Sequence, residues 1–264
     1  MSIEILAKVI EPIGLTATDL VAVLVALMLV INAIARAKGT RKHNPGLWRA
    51  NLAMIVSVIC SISVVFDAVD PLVGNRSLLN CFTHLILVYV GWQLALATAR
   101  ILQQLTGQKV TTLLIHPWVP LVSALGVCVT FAILNPGSSR GLDAYDQEMV
   151  YVLYWVATVA PFVLASFHIV PRFIKVHSVI RRAHWLSRTS ITLLWLGYIG
   201  VPLSVVGWTV TAFAPEFYTI REIVVNGTLL LFCAASLMAT AAVPQPRDKQ
   251  NLQHIPALNL TQPQ

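Results

Sequence analysis

The sequence predicts an all-α, polytopic membrane protein of seven transmembrane helices, with the N-terminus outside and the C-terminus cytoplasmic. Two observations predict it: apolar runs of near-spanning length recur along the chain, and positive charge falls in alternate connections between them. Composition agrees, because 57% hydrophobic and 11% charged residues lie far from the roughly 25% charged residues of soluble domains.

The spans are expected at about 15–35, 47–66, 78–99, 117–134, 149–170, 191–213 and 223–243. Each approximates the roughly 20 residues that a hydrocarbon core requires. On one side the connections carry Arg36, Lys38, Arg41, Lys42 and Arg49, then Arg100 and Lys109, then Arg172, Lys175, Arg181, Arg182 and Arg188, and finally Arg247 and Lys249. Only Lys8, Arg76, Arg140 and Arg221 lie opposite. Short loops obey the positive-inside bias, so the basic side is cytoplasmic. All acids except Asp248 fall on the outer side, which is consistent but orients weakly.

The organisation is an extracellular segment over 1–14, a membrane domain over 15–243 and a tail over 244–264 rich in Pro, Gln and Asn, expected to be disordered. No kinase or cyclase output domain is expected in that tail. No basic n-region with a cleavage site precedes the first apolar run, so a cleavable signal peptide is not expected. The net charge of +7 is explained by juxtamembrane loops facing an anionic inner leaflet, and no nucleic-acid partner is expected. Cys60, Cys81, Cys128 and Cys233 all fall within spans, with no CxxC or Cys/His spacing for a metal. No metal or cofactor is expected.

His84, about two turns into the third span, is the clearest intramembrane ionisable group and a candidate for ligand or proton binding. Asn80, His84, Gly91, Ala95 and Thr98 share its face as a small or polar stripe, which equally suits helix packing with a structural histidine. Asp67 and Asp70 could attract a cation at the outer end of the second span, although two carboxylates make a poor cage and a solvated turn before Pro71 explains them as well. Pro161 and Pro202 fall near mid-span in the fifth and sixth helices, as hinge candidates or as ordinary membrane prolines.

The stretch from Arg172 to Ser190 alternates apolar and basic residues at helical spacing. It reads as an amphipathic segment on the inner leaflet or as a fifth helix protruding into the cytosol, with Pro171 able to redirect the chain. Trp48, Trp118 and Trp185 near one boundary, and Tyr145, Tyr151, Trp208 and Tyr218 near the other, suit interfacial belts. Retinal chemistry is excluded because the seventh span has no lysine for a Schiff base. His84 and His168 lie at different depths, against a bis-histidine haem. Basic loops after the first and fifth spans also suggest a weak three-plus-one-plus-three repeat.

The run from Arg41 through His43-Asn44-Pro45-Gly46-Leu47-Trp48 to Ala50, with Phe66-Asp67, Asn80, His84 and the Trp185-Leu186-Ser187-Arg188 entry to the sixth span, resembles an uncharacterised seven-helix family of high-GC Gram-positive bacteria labelled as transporters. The resemblance implies a multi-pass plasma membrane protein. Members are often encoded beside helix-turn-helix regulators and ImmA/IrrE-type metallopeptidases, which implies instead a sensor or regulatory subunit.

Two functions are therefore expected to compete. One is a small-solute transporter using His84, Pro161 and Pro202. The other engages a cytosolic regulatory protein through Arg41, Lys42, Arg49, Arg172, Lys175, Arg181, Arg182 and Arg188. A membrane enzyme is a lesser option, since no nucleophile and base pair at one depth.

Overall fold

A chain this apolar must satisfy its backbone within each segment, which favours helices. The computed structural model describes residues 17–37, 45–74, 76–106, 116–180 and 185–241, and among them there is no strand. The helices are α1 (Ala17–Arg36), α2 (Pro45–Cys60), α3 (Ser63–Val69), α4 (Leu78–Thr106), α5 (Trp118–Leu134), α6 (Met149–Ile180), α7 (Trp185–Phe213) and α8 (Tyr218–Ala241). Short 3-10 turns cover Asp70–Val73, Arg140–Tyr145 and Pro215–Phe217. The segments 1–14 and 244–264 lie outside the described residues.

Among the described residues four stretches are long and apolar enough to cross a membrane: Leu78–Gln103, Met149–Ile174, Trp185–Phe213 and Pro215–Ala239. A fifth arises if α2 and α3 are counted as one span broken by a bend of 83°. Asp19–Ala35 and Trp118–Leu134 are apolar but shorter; 17 residues at 1.5 Å each reach about 25 Å against a core of about 30 Å. The protein is thus all-helical with four to five candidate spans. Exposed Leu24, Leu27, Ile31 and Ile34 on α1, and Leu121, Val122, Leu125 and Ile133 on α5, give these shorter helices the apolar outer face that lipid contact requires.

The second span departs from the straight run expected over 47–66. After Cys60 the chain turns, and α3 runs almost perpendicular to α2. No proline or glycine causes this. The first backbone N–H of α3, on Ser63, donates to Asp19 Oδ1 at 2.8 Å, and Ser63 Oγ donates to Asp19 Oδ2 at 2.6 Å. Asp19 thus caps α3 from another helix. The fifth span also differs from its expected end at 170: α6 continues through Pro171 to Ile180 as one helix of 32 residues.

Packing arranges six helices as a closed ring in chain order, α1–α2–α4–α6–α7–α8, with α8 returning to α1. Helix α5 packs outside the ring, against α4 and α6. Close approach around the ring uses small residues: a Cβ on Gly91 of α4 would lie 2.5 Å from the Phe162 ring of α6, and one on Gly200 of α7 would collide with Thr228 of α8.

Candidate functional site

The stripe on α4 has partners for each member, on α6 and α7 and, for Asn80, in the connection before α6. Asn80 Nδ2 donates to the Ser139 carbonyl at 2.6 Å, Gly91 admits Phe162, Ala95 is buried in a core cluster with Ala165 and Tyr198, and Tyr198 Oη donates to Thr98 Oγ1 at 3.1 Å. His84 is 6% exposed. Its Nδ1 shares a 2.5 Å hydrogen bond with Tyr154 Oη of α6. Its ring lies 4.4 Å from Trp155, which stacks on Trp208 of α7 at 4.5 Å and 12°. Tyr151 and Tyr154 meet Trp155 edge-on, so the indole is held on several sides.

His84 and Trp155 line a half-open cavity of about 270 Å³ between the ring helices, with Ser57 from α2, Ser61 just beyond it, and Ser204, Asn226 and Thr228 from α7 and α8. A second cavity, of about 100 Å³, is lined by Trp48, Asn32, Asn51 and Ser236. There Asn32 Nδ2 donates to Asn51 Oδ1 at 3.2 Å and to Ser236 Oγ at 2.8 Å, joining α1, α2 and α8.

Met54, Phe162, Leu229 and Phe232 line both cavities. They form an apolar partition between two chambers stacked along the bundle. The order of lining residues sets the helix directions: α1, α4 and α8 pass from the His84 chamber to the Trp48 chamber, and α2 passes the other way. Helix α6 enters at Trp155 and reaches the partition at Phe162, whereas α7 reaches the His84 chamber late, at Val201, Ser204 and Trp208. Helix α5 contributes to neither chamber.

Pro161 is buried beside Phe162, and Pro202 follows Val201. Both prolines lie inside continuous helices, at or near the level of the partition.

The His84 end of the ring is fastened by buried charge. Asp19 is 1% exposed and Asp70 is 0% exposed, so Asp67 and Asp70 do not form a solvated pair. Asp67 is exposed, whereas Asp70 Oδ2 accepts a hydrogen bond from Ser138 Oγ at 2.5 Å. The α3 strap is therefore tied at its start by Asp19 on α1 and just beyond its end by Ser138. Among the described residues no three His, Cys, Asp or Glu side chains gather as a metal site.

Arg221 is missed by sequence reasoning, where it is only an exception to the charge alternation. Its side chain is 1% exposed; Nη2 pairs with Glu222 Oε1 at 3.2 Å, Nη1 lies 3.9 Å from Asp146 Oδ2, and the guanidinium sits 4.2 Å over the Tyr218 ring. Glu222 Oε2 accepts from Asn226 Nδ2 at 3.4 Å, which links this cluster to the chamber wall. Trp155 is missed too, and Tyr151 and Trp208 are not interfacial anchors: they are 1% and 3% exposed within the bundle. A tryptophan spaced for the interface and one spaced for the core are indistinguishable without the facing helix.

Of the basic face, Arg49 and Arg188 are exposed, while Arg172 Nη1 donates to the His168 carbonyl at 3.2 Å. Arg41, Lys42, Arg181, Arg182 and the Lys175 side chain lie outside the described residues.

No family model, no curated protein and no solved structure matches the chain.

Proposed function

We propose that this protein is a plasma membrane transporter of small solutes, crossing the bilayer seven times with its N-terminus outside. The observation that carries the proposal is the pair of stacked chambers in one helix ring, divided by Met54, Phe162, Leu229 and Phe232. A dry bundle would offer no path, whereas a path interrupted by one apolar layer needs only that layer to open. The alternating direction of the helices supports seven crossings. The exclusion of most basic residues from the His84 end supports an outside location for that end.

In this mechanism the solute enters beside His84, which serves as its ligand or proton group. Pro161 and Pro202 lack the backbone N–H that would tie them to the preceding turn. Bending there moves Phe162 and the α7 wall relative to α8. The solute then passes the Asn32–Asn51–Ser236 cluster towards the cytoplasm. The test is uptake by purified protein in liposomes, using mass spectrometry of solutes retained from a cell extract. Accumulation above empty liposomes is expected; none, from protein that unfolds cooperatively, would overturn the proposal.

A second reading, a regulatory subunit binding a cytosolic protein, is favoured by one observation. Helix α6 extends past its apolar stretch, which ends at Ile174, to Ile180, on the side where Arg49 and Arg188 are exposed. The same basic surface suits an anionic inner leaflet. Crosslinking in native membranes separates the two: a protein partner captured by wild type and lost when Arg181 and Arg182 become Glu supports the subunit reading.

A further inference from the structure

Resting on the transport reading, we propose that the His84 chamber takes an uncharged, mainly apolar solute that carries a hydrogen-bond donor: an alcohol, a phenol or a neutral N–H compound. The proposal stands on where the hydroxyl hydrogens of the chamber go. Ser57 Oγ donates to the Thr83 carbonyl at 3.3 Å, Ser61 Oγ to the Ser57 carbonyl at 2.9 Å, Ser204 Oγ to the Gly200 carbonyl at 2.9 Å, and Thr228 Oγ1 to the Val224 carbonyl at 2.7 Å. Each hydroxyl has spent its one donor on backbone and keeps lone pairs for a visitor. Against these four acceptors the lining sets the unpartnered indole N–H of Trp155 and the amide of Asn226, so acceptors outnumber donors and a ligand that brings a donor finds more partners than one that only accepts.

Charge is excluded by the rest of the lining. Among the described residues no Asp, Glu, Lys or Arg lines either chamber, so an anion would meet lone pairs and no permanent cation. An ammonium would meet the rings of Trp155, Phe162 and Phe232, but cation–π contact offsets only part of the cost of desolvating a charge that lacks a counter-ion. The same rings and the surrounding aliphatic side chains favour an apolar body. The volume of about 270 Å³ admits a small organic body.

The experiment measures saturable binding to the full chain in nanodiscs of tritiated 2-phenylethanol, with three unlabelled competitors of one shape. These are its methyl ether, which lacks the donor; phenylacetate, an anion; and phenethylammonium, a cation. Expected are saturable binding of the alcohol, competition by the ether about tenfold weaker, the factor for one lost hydrogen bond, and no competition by either ion. Ser204→Ala and Thr228→Val, checked for unchanged thermal unfolding, should weaken the alcohol and leave the ether unaltered. No saturable binding of the alcohol, equal competition by the ether, or stronger competition by either ion would overturn the inference. The two proposals fail separately: uptake of an anionic solute in the liposome assay removes this ligand class and leaves transport, and alcohol-selective binding without uptake of any solute does the reverse.

Discussion

The carboxylate of Asp19 receives both the backbone N–H and the hydroxyl of Ser63, 44 positions away. It sits in the first turn of α1 and at the start of α3, so two helix N-termini place their partial positive charge on one buried anion. Replacing Asp19 by Ala should lower stability by about 1–3 kcal/mol, the cost of buried donors left unpaired. Asp19→Asn, which keeps one acceptor, should fall between. Thermal unfolding in detergent reads both, and an Asp19→Ala variant melting like wild type would remove the cap from the account of the bend.

The His84–Tyr154 pair allows structure and transport to be separated. Tyr154→Phe removes only the hydroxyl and should cost about 1 kcal/mol. His84→Ala should abolish uptake in the liposome assay, and Tyr154→Phe should reduce it several-fold, beyond what the stability loss explains. Uptake that simply tracks the amount of folded protein in both variants would make His84 a packing residue.

Cys233 lines the Trp48 chamber and is 4% exposed, which makes it a reporter of the partition. With Cys60, Cys81 and Cys128 replaced by Ser, an impermeant maleimide added from outside should leave Cys233 unmodified. Phe162→Leu and Leu229→Ala, which thin the layer between chambers, should expose it to labelling. Unchanged protection in both variants would mean that other residues form the barrier.

Gly200 meets Thr228 where α7 and α8 touch. Gly200→Ala should destabilise by about 1–3 kcal/mol through overpacking. Adding Thr228→Ala should recover much of that loss, because the crowding atoms Oγ1 and Cγ2 are then gone. A double variant as unstable as the sum of the singles would show that the contact is not the cause.

Truncating Arg221 to Met should destabilise the His84 end, since Asp146 and Glu222 lose their shared cation while the methylene packing remains. The expected cost is about 1–3 kcal/mol rather than the 3–5 kcal/mol of a fully buried pair, because those carboxylate side chains are 20% and 28% exposed. The measurement is thermal unfolding with and without high salt; a salt-insensitive, wild-type melt would contradict it.

What was legible in the sequence was what repeats locally. The apolar runs gave the helices, and helical spacing placed Asn80, His84, Gly91, Ala95 and Thr98 on the face that the structure buries. The bend after Cys60 was illegible because its cause is a carboxylate 44 residues upstream, with no local break in the apolar pattern. Burial of Asp70 and Arg221 was hidden for the same reason: Ser138 and Asp146 reach them through folding, not through sequence proximity. The partition was hidden too, as Met54, Phe162, Leu229 and Phe232 are ordinary apolar residues until the ring closes around them.

Helix α5 touches no chamber, yet it decides the sense in which the chambers are built. By returning the chain to the His84 end, it lets α6, α7 and α8 repeat the down–up–down course of α1, α2 and α4. The first helix of each triplet therefore passes from the His84 chamber in the same direction. Joined without it, the second triplet would run upside down, and its Trp155 and Trp208 would face Asn32 rather than His84.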